Sequence, residues 1–300
     1  MTFMRIGSMD IHRVEEKGHI LALPLDALMP GASVADALHA HPWLAPHHLD
    51  APSSRLVSTF QSWVIRTGRH VVVVDTCSGN HRDRATFPPA HQLDTPYLAR
   101  LAAVGLRPED VDFVMCTHLH VDHVGWNTRL LDDQWIPTFP NAKYIFSKTE
   151  FETFDALQHS DPAARVNHGS FRDSVMPIVE ASLAHMVEGE HHISNGLIVK
   201  PAAGHTPGHC MLEAKSQGQE GWFIGDVMHH PLQICHPERN SPFCADQLQA
   251  RATRRSLLEA AADHDVTLFP AHFGLPYATR VVSGSTGFVP AFALDTPQRP

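Results

Sequence analysis

Short apolar runs separated by polar turns set the rhythm of this chain. Val71-Val72-Val73-Val74 is a β-branched run bounded by Gly68 and by Asp75-Thr76, as expected of a strand covered on both faces. Strands are also expected over Arg5 to Glu15, Arg55 to Arg66 and Val111 to Cys116. Further on they recur over Ala142 to Ser147, twice within Met186 to Lys200 around Ser194-Asn195-Gly196, and over Met211 to Lys215, Trp222 to Ile224 and Thr267 to Phe269. Helices fall between them. One runs from an N-cap at Thr95, with Pro96 at its first position, to Val104, where Gly105 stops it. A second follows from Lys148 to Gln158. Asp246 caps a third through Ala262, with Leu248, Ala252, Leu257, Leu258 and Ala261 on its apolar side.

Residues 23–54 break the rhythm. They are rich in Pro, His and Ala, with one short helical piece near Ser33 to His39, and are too long for a hairpin turn. Two readings stay open for this insertion: the rim of a site, or a homodimer contact. The rest reads as a single layered α/β domain spanning residues 1–300.

Bulk composition narrows the partners. A hydrophobic share of 43% with 18% charged residues describes an ordinary globular chain. The net charge of −9 disfavours a nucleic-acid partner, which needs a basic stripe. Arg251, Arg254 and Arg255 form the one local basic cluster and read as a solvated helix face. No apolar run approaches membrane-spanning length, and Met1 to Ile20 lacks the apolar core of a signal peptide. Five cysteines without a C-x-x-C pair point to reduced thiols, so the cytoplasm is the expected compartment.

The candidate chemistry lies in Thr117-His118-Leu119-His120-Val121-Asp122-His123, directly after an expected strand. Most of the 24 histidines read as surface or satisfied core residues, but three imidazoles and a carboxylate within six positions do not. His118 and His120, two apart on a loop, can face one pocket, and His205 would complete a three-nitrogen set with open positions, as a catalytic metal requires. Asp122, His123 and His272 would form a second set, and Asp226 could bridge the two through its two oxygens. Two divalent ions are implied, zinc first, with manganese, iron or cobalt also compatible. Two such ions roughly 3.5–4 Å apart can share a hydroxide and generate a nucleophile at neutral pH. Thr117, Asp75, Thr206 and His209 are expected to orient the ligands.

These segments, with Gly204-His205-Thr206-Pro207-Gly208-His209, Gly225-Asp226 and Pro270-Ala271-His272-Phe273, resemble the metallo-β-lactamase-fold hydrolases in kind and order. The resemblance implies an αβ/βα four-layer sandwich of two mixed β-sheets flanked by helices, with a dinuclear site at one edge. It implies the same ligand assignment: His118, His120 and His205 on one ion, Asp122, His123 and His272 on the other, Asp226 on both. The chain is most similar to the lactonase-type branch, which includes the N-acyl-homoserine lactonases, and to the related organophosphate hydrolases. Secreted β-lactamases, glyoxalase II enzymes, RNA-processing members and flavin-dependent diiron members match less well in leader, C-terminal domain, charge or ligand set. One position departs from the lactonases: His229 stands three residues beyond the bridging aspartate, where they commonly have tyrosine.

The function expected is metal-dependent hydrolysis of a small-molecule ester or lactone. A phosphotriester, sulfate ester or thioester substrate, and a non-catalytic metal-binding role, are the alternatives. Asp122 and His229 are the candidate proton-handling residues, and Trp126, Trp43 and Phe273 the candidate pocket walls.

Overall fold

The computed structural model describes residues 3–161, 165–285 and 287–292. Two sheets face each other. In the first, the strands run in the order Phe3–Ile6, Met9–Pro24, Arg55–Arg66, Val71–Val74, Phe113–Met115, Lys143–Ser147 and Ala184–Val187. The first four are antiparallel neighbours and the last four parallel ones, so the sheet is mixed. The second sheet runs from His191–Ser194 through Leu197–Pro201, Cys210–Ser216, Gln219–Gly225, Thr267–Pro270 and Thr279–Gly284 to Gly287–Phe292. Its single parallel pairing joins Gln219–Gly225 to Thr267–Pro270.

Alternation along each strand explains the layers. Val72 and Val74 enter the core between the sheets, with Trp63, Met115, Leu212, Phe223 and Phe269, whereas Val73 points the other way. There it meets helices Tyr97–Ala103 and Lys148–Ser160 through Tyr97, Leu101 and Phe154. On the second sheet Trp222 and Ile224 turn outward onto Leu257, Leu258 and Ala261 of helix Gln247–Asp263, while Phe223 between them faces inward. Helices therefore cover both outer faces, which is the αβ/βα sandwich.

Several boundaries differ from the sequence reading. The stretch expected as one strand from Arg5 to Glu15 is two, split by a turn at Gly7-Ser8, and the second continues to Pro24. Thr95 does not cap its helix. Pro96 holds the N-cap position, and both Thr95 N and Oγ1 bond to Asn80 Oδ1 at 2.8 and 3.1 Å. On helix Gln247–Asp263 Leu248 is 74% exposed and Ala252 is exposed, while Arg254 is fully buried, so the basic cluster is not simply a solvated face. The Arg254 guanidinium is turned inward by acceptors: it donates to Val227 O, Pro237 O, Arg239 O and Asn240 Oδ1. Asp246 does cap this helix, accepting from Leu248 N and Gln249 N.

The insertion folds onto its own chain. Ser33 caps helix Val34–Ala40 in a reciprocal box with Asp36, and Leu25, Leu28, Ala37, Leu44 and Leu49 pack on Leu23, Leu56 and Leu232.

Candidate metal centre

The site forms where strands end. Val71–Val74 delivers Asp75, Phe113–Met115 delivers the 117–123 loop, Gln219–Gly225 delivers Asp226 and Thr267–Pro270 delivers His272. Edge loops converge here because the parallel strands start them from one level. Two glycines make the approach possible. Gly225 has φ +48, and a Cβ on it would sit 2.5 Å from Thr117 Oγ1; a Cβ on Gly208 would sit 2.3 Å from Glu150 N.

The seven residues singled out as ligands come together as two sets. His118 Nε2 lies 3.0 Å from His120 Nδ1, which lies 2.9 Å from His205 Nε2. Asp226 Oδ2 stands 3.8 Å from His118 Nε2 and 3.3 Å from His205 Nε2. Its other oxygen, Oδ1, is 3.0 Å from His272 Nε2 and 3.4 Å from His123 Nε2. Those two nitrogens are 3.3 Å apart, with Asp122 oxygens at 3.7 and 3.9 Å from them. Donors held about 2.0–2.1 Å from a tetrahedral ion are separated by about 3.3 Å, so both sets have the dimensions of an ion's coordination shell. Asp226 Oδ1 is buried and accepts no hydrogen bond among the described residues. A buried carboxylate oxygen without a partner is costly unless a cation satisfies it, and the residues present fit two such cations.

Burial keeps the first set neutral, as metal ligands must be: it pushes His118 and His205 well below the usual imidazole range and His120 down to about 4. Burial opposes ionisation of Asp226, but the imidazoles of His272, His123 and His229 outweigh it and hold the carboxyl well below its usual range.

An outer ring of hydrogen bonds surrounds the candidate ligands. Asp75 accepts from Thr117 N at 2.7 Å and Thr117 Oγ1 at 2.9 Å, and its Oδ2 lies 2.9 Å from His123 Nδ1. His272 Nδ1 meets Thr59 O at 2.8 Å, and His209 Nε2 accepts from Asp226 N at 3.1 Å. Asp75, Thr117 and His209 thus stand where the sequence reading expected orienting groups. Two clamps escaped it. The Glu150 carboxylate accepts from Leu119 N at 3.1 Å and Gly208 N at 2.9 Å, joining the two ligand loops, and Asn167 Oδ1 accepts from Val121 N at 3.1 Å. In sequence Glu150 looks like an ordinary helix-start acid, and nothing nearby marks Asn167.

A cavity of about 540 Å³ opens over the ligands. Its apolar wall is built from Ile20, Leu23, Leu56, Phe60, Phe87 and Phe154, and His229 and Asp122 face it. None of the three aromatics expected as walls lines it. Trp126 turns into the core, stacked on Tyr97 with centroids 5.1 Å apart, its Nε1 donating to Glu16 Oε1 at 2.6 Å. Trp43, on the insertion, packs against His48 and against Phe292 of strand Gly287–Phe292, and Phe273 is buried under helix Gln247–Asp263. Adjacency in sequence to a ligand does not put a side chain in the cavity when the intervening turn carries it inward.

A four-layer αβ/βα sandwich with two histidine–aspartate sets at the carboxyl ends of its strands defines a class, and the family model for the metallo-β-lactamase superfamily matches residues 61–272. The chain belongs to that superfamily. Among curated proteins it is similar to an N-acyl homoserine lactonase of a Bacillus species, 28% identical over 120 residues, which span 39% of each chain. N-acyl homoserine lactonase AiiB of Agrobacterium fabrum is 24% identical over 264 residues, 79% of this chain and 87% of the relative. Of the solved structures, AidC, a dizinc quorum-quenching lactonase in complex with a product, superposes with a TM-score of 0.79 at 18% identity, covering 99% of this chain and 98% of the other. The hydrolase AbOPH superposes with a TM-score of 0.77 at 20% identity, covering 98% of both. The branch these comparisons support is the lactonase-like one.

Proposed function

We propose that the chain is a dinuclear metal-dependent hydrolase that opens an uncharged ester or lactone. The observation that carries this reading is the split of Asp226, one oxygen toward His118 and His205, which flank His120, and the other toward His123 and His272. In this reading His118, His120 and His205 hold one ion, Asp122, His123 and His272 the second, and Asp226 is shared. When bound, the ions, zinc by preference of this donor set, supply an activated water at neutral pH and polarise the carbonyl oxygen.

The chain's own residues do the rest. No lysine or arginine lines the cavity among the described residues, which suits an uncharged substrate, and the apolar wall excludes water around it. Asp122 is the less buried of the two acidic ligands, with a side chain 15% exposed against 4% for Asp226, so it is placed to pass a proton to the leaving alkoxide. His229 lines the cavity, with its Nε2 3.2 Å from Asp226 Oδ2 and 3.3 Å from Ser241 Oγ. An imidazole so placed can orient the substrate carbonyl, the task tyrosine has in the lactonases. The substrate is the only partner this reading requires. Five free thiols support a reducing compartment, the cytoplasm.

The test is a panel of lactone, aryl ester, phosphotriester, sulfate ester and thioester at equal zinc loading, with metal content measured in parallel. Two ions per chain and turnover of lactone or aryl ester are expected, and H120A and D226A should each cost at least about a hundredfold. Undiminished turnover by metal-free H120A would sink the reading, and preference for the phosphotriester would shift it to that bond.

A further inference from the structure

The segment beside the metal loop is held in a conformation the chain would not choose alone. Asn167 and His168 are consecutive left-handed residues, at φ 50 and φ 57, a pairing that residues with a Cβ seldom adopt in succession. Neighbours enforce it: Arg84 Nη1 donates to His168 O at 3.3 Å, while the Asn167 amide donates to Leu119 O and to Ser170 Oγ. Strain that is over-determined in this way marks a position whose side chain has a task. The strain turns the His168 ring onto Phe87, centroids 5.3 Å apart at 29°, with Nδ1 2.7 Å from Thr86 Oγ1. All three residues line the cavity over the ligand sets.

Elimination singles out one atom. Of the polar cavity residues away from the ligands and His229, Asn167 is used by the metal loop and Thr86 by His168. His230 uses Nε2 on His48 O and Nδ1 on Leu232 N, and Ser58 is turned to His272 O. His168 Nε2 has no partner among the described residues, and it is not among the buried unpartnered atoms.

We propose that His168 determines substrate specificity, its Nε2 hydrogen-bonding an uncharged polar group, a carbonyl, amide or hydroxyl, carried on the apolar part of the substrate. This rests on the reading of the cavity as the substrate site. Neutral imidazole with Nδ1 committed to a hydroxyl offers one donor or one acceptor at Nε2, so it recognises a single neutral group rather than an anion. Thr86 is its positioning residue.

The test uses zinc-loaded protein and two lactones of equal chain length, one plain alkyl and one with an amide in the chain, with H168N and T86V beside wild type. Asparagine tolerates the left-handed backbone but withdraws the ring, and T86V leaves that backbone untouched if H168N does not fold. Loss of about tenfold in kcat/KM, carried by KM, is expected for the amide-bearing lactone, with less than twofold for the alkyl lactone. Calorimetric binding of the matching amide-bearing lactam, which has no ester to cleave, should weaken by the same factor in both variants. That arm holds even if the wild type hydrolyses neither lactone, so failure of the hydrolase reading and failure of this one are told apart. Equal losses on both lactones, or unchanged lactam binding in T86V, would overturn the assignment.

Discussion

Asp75 shows how one residue outside the ligand sets can govern the centre. It stands at φ 56 at the end of Val71–Val74, so its carboxylate turns back to meet Thr117 and the Nδ1 edge of His123. That contact leaves His123 Nε2 facing the second set, which is the tautomer a cation needs. D75N keeps shape and left-handed preference but removes the charge and places an amide N–H2 against existing donors. Metal affinity, read by competition with a chelator, should fall about 10- to 100-fold with folding retained. An unchanged affinity would show that Asp75 only closes a turn. At this scale the candidate site was legible in sequence because closely spaced imidazoles and carboxylates leave few alternatives to a shared ion. The cavity walls were not. Phe60, Phe87 and Phe154 lie far from the ligands in sequence and reach them only through the strand, loop and helix that carry them.

Among elements, helix Gln247–Asp263 and helix Lys148–Ser160 each bury one charged residue on their apolar face: Arg254 stands at helical spacing from Leu257, Leu258 and Ala261, and Glu150 from Phe154. Arg254 serves the irregular 226–240 segment, whose carbonyls have no strand to pair with, and burial pulls its guanidinium down to about 10. Spacing puts position 254 on the inner face, but residue type hides it, since the acceptors that satisfy the guanidinium come from another part of the chain. R254L should lower stability by about 2–4 kcal/mol in urea unfolding, because it strands several buried carbonyls at once. A loss under about 0.5 kcal/mol would mean that water replaces the guanidinium. Glu150 has the matching role on the other helix. Glutamine there offers one acceptor where two are needed, so E150Q should quicken amide exchange at Leu119 and Gly208 while distant strands stay protected. Uniform exchange across the chain would instead indicate global destabilisation.

At the scale of the whole molecule, short apolar runs between polar turns made the strands readable, whereas the stacking of two mixed sheets face to face followed from family resemblance. The insertion's packing was in neither. It is secured through imidazoles: His48 stacks on Phe292 at 5.3 Å and meets the edge of His230 at 5.8 Å. Burial pushes the His48 imidazole down to about 2 from 6.5, with His230 and His47 adding to the shift. A histidine lowered in this way binds fewer protons folded than unfolded between those values. Its contribution to stability is therefore complete above 6.5 and is lost as pH falls toward 2. Glu16 acts with the opposite sign. Burial pushes its carboxyl up to about 7 from 4.5, against N–H donors from Ser78, Gly79 and Trp126, so its contribution is complete below 4.5 and lost as pH rises through 7. A wild-type stability curve mixes the two, and the comparison of variants separates them. H48F keeps the ring stack and removes the titration, and no side-chain hydrogen bond of His48 is lost among the described residues. Urea unfolding at constant zinc should find the two proteins close at pH 7.5. Below pH 6.5 the variant should gain on wild type by up to about 1.4 kcal/mol per pH unit. A constant difference from pH 7.5 to 5 would show that His48 accepts its proton in the folded state and that the insertion is not fastened by a neutral imidazole.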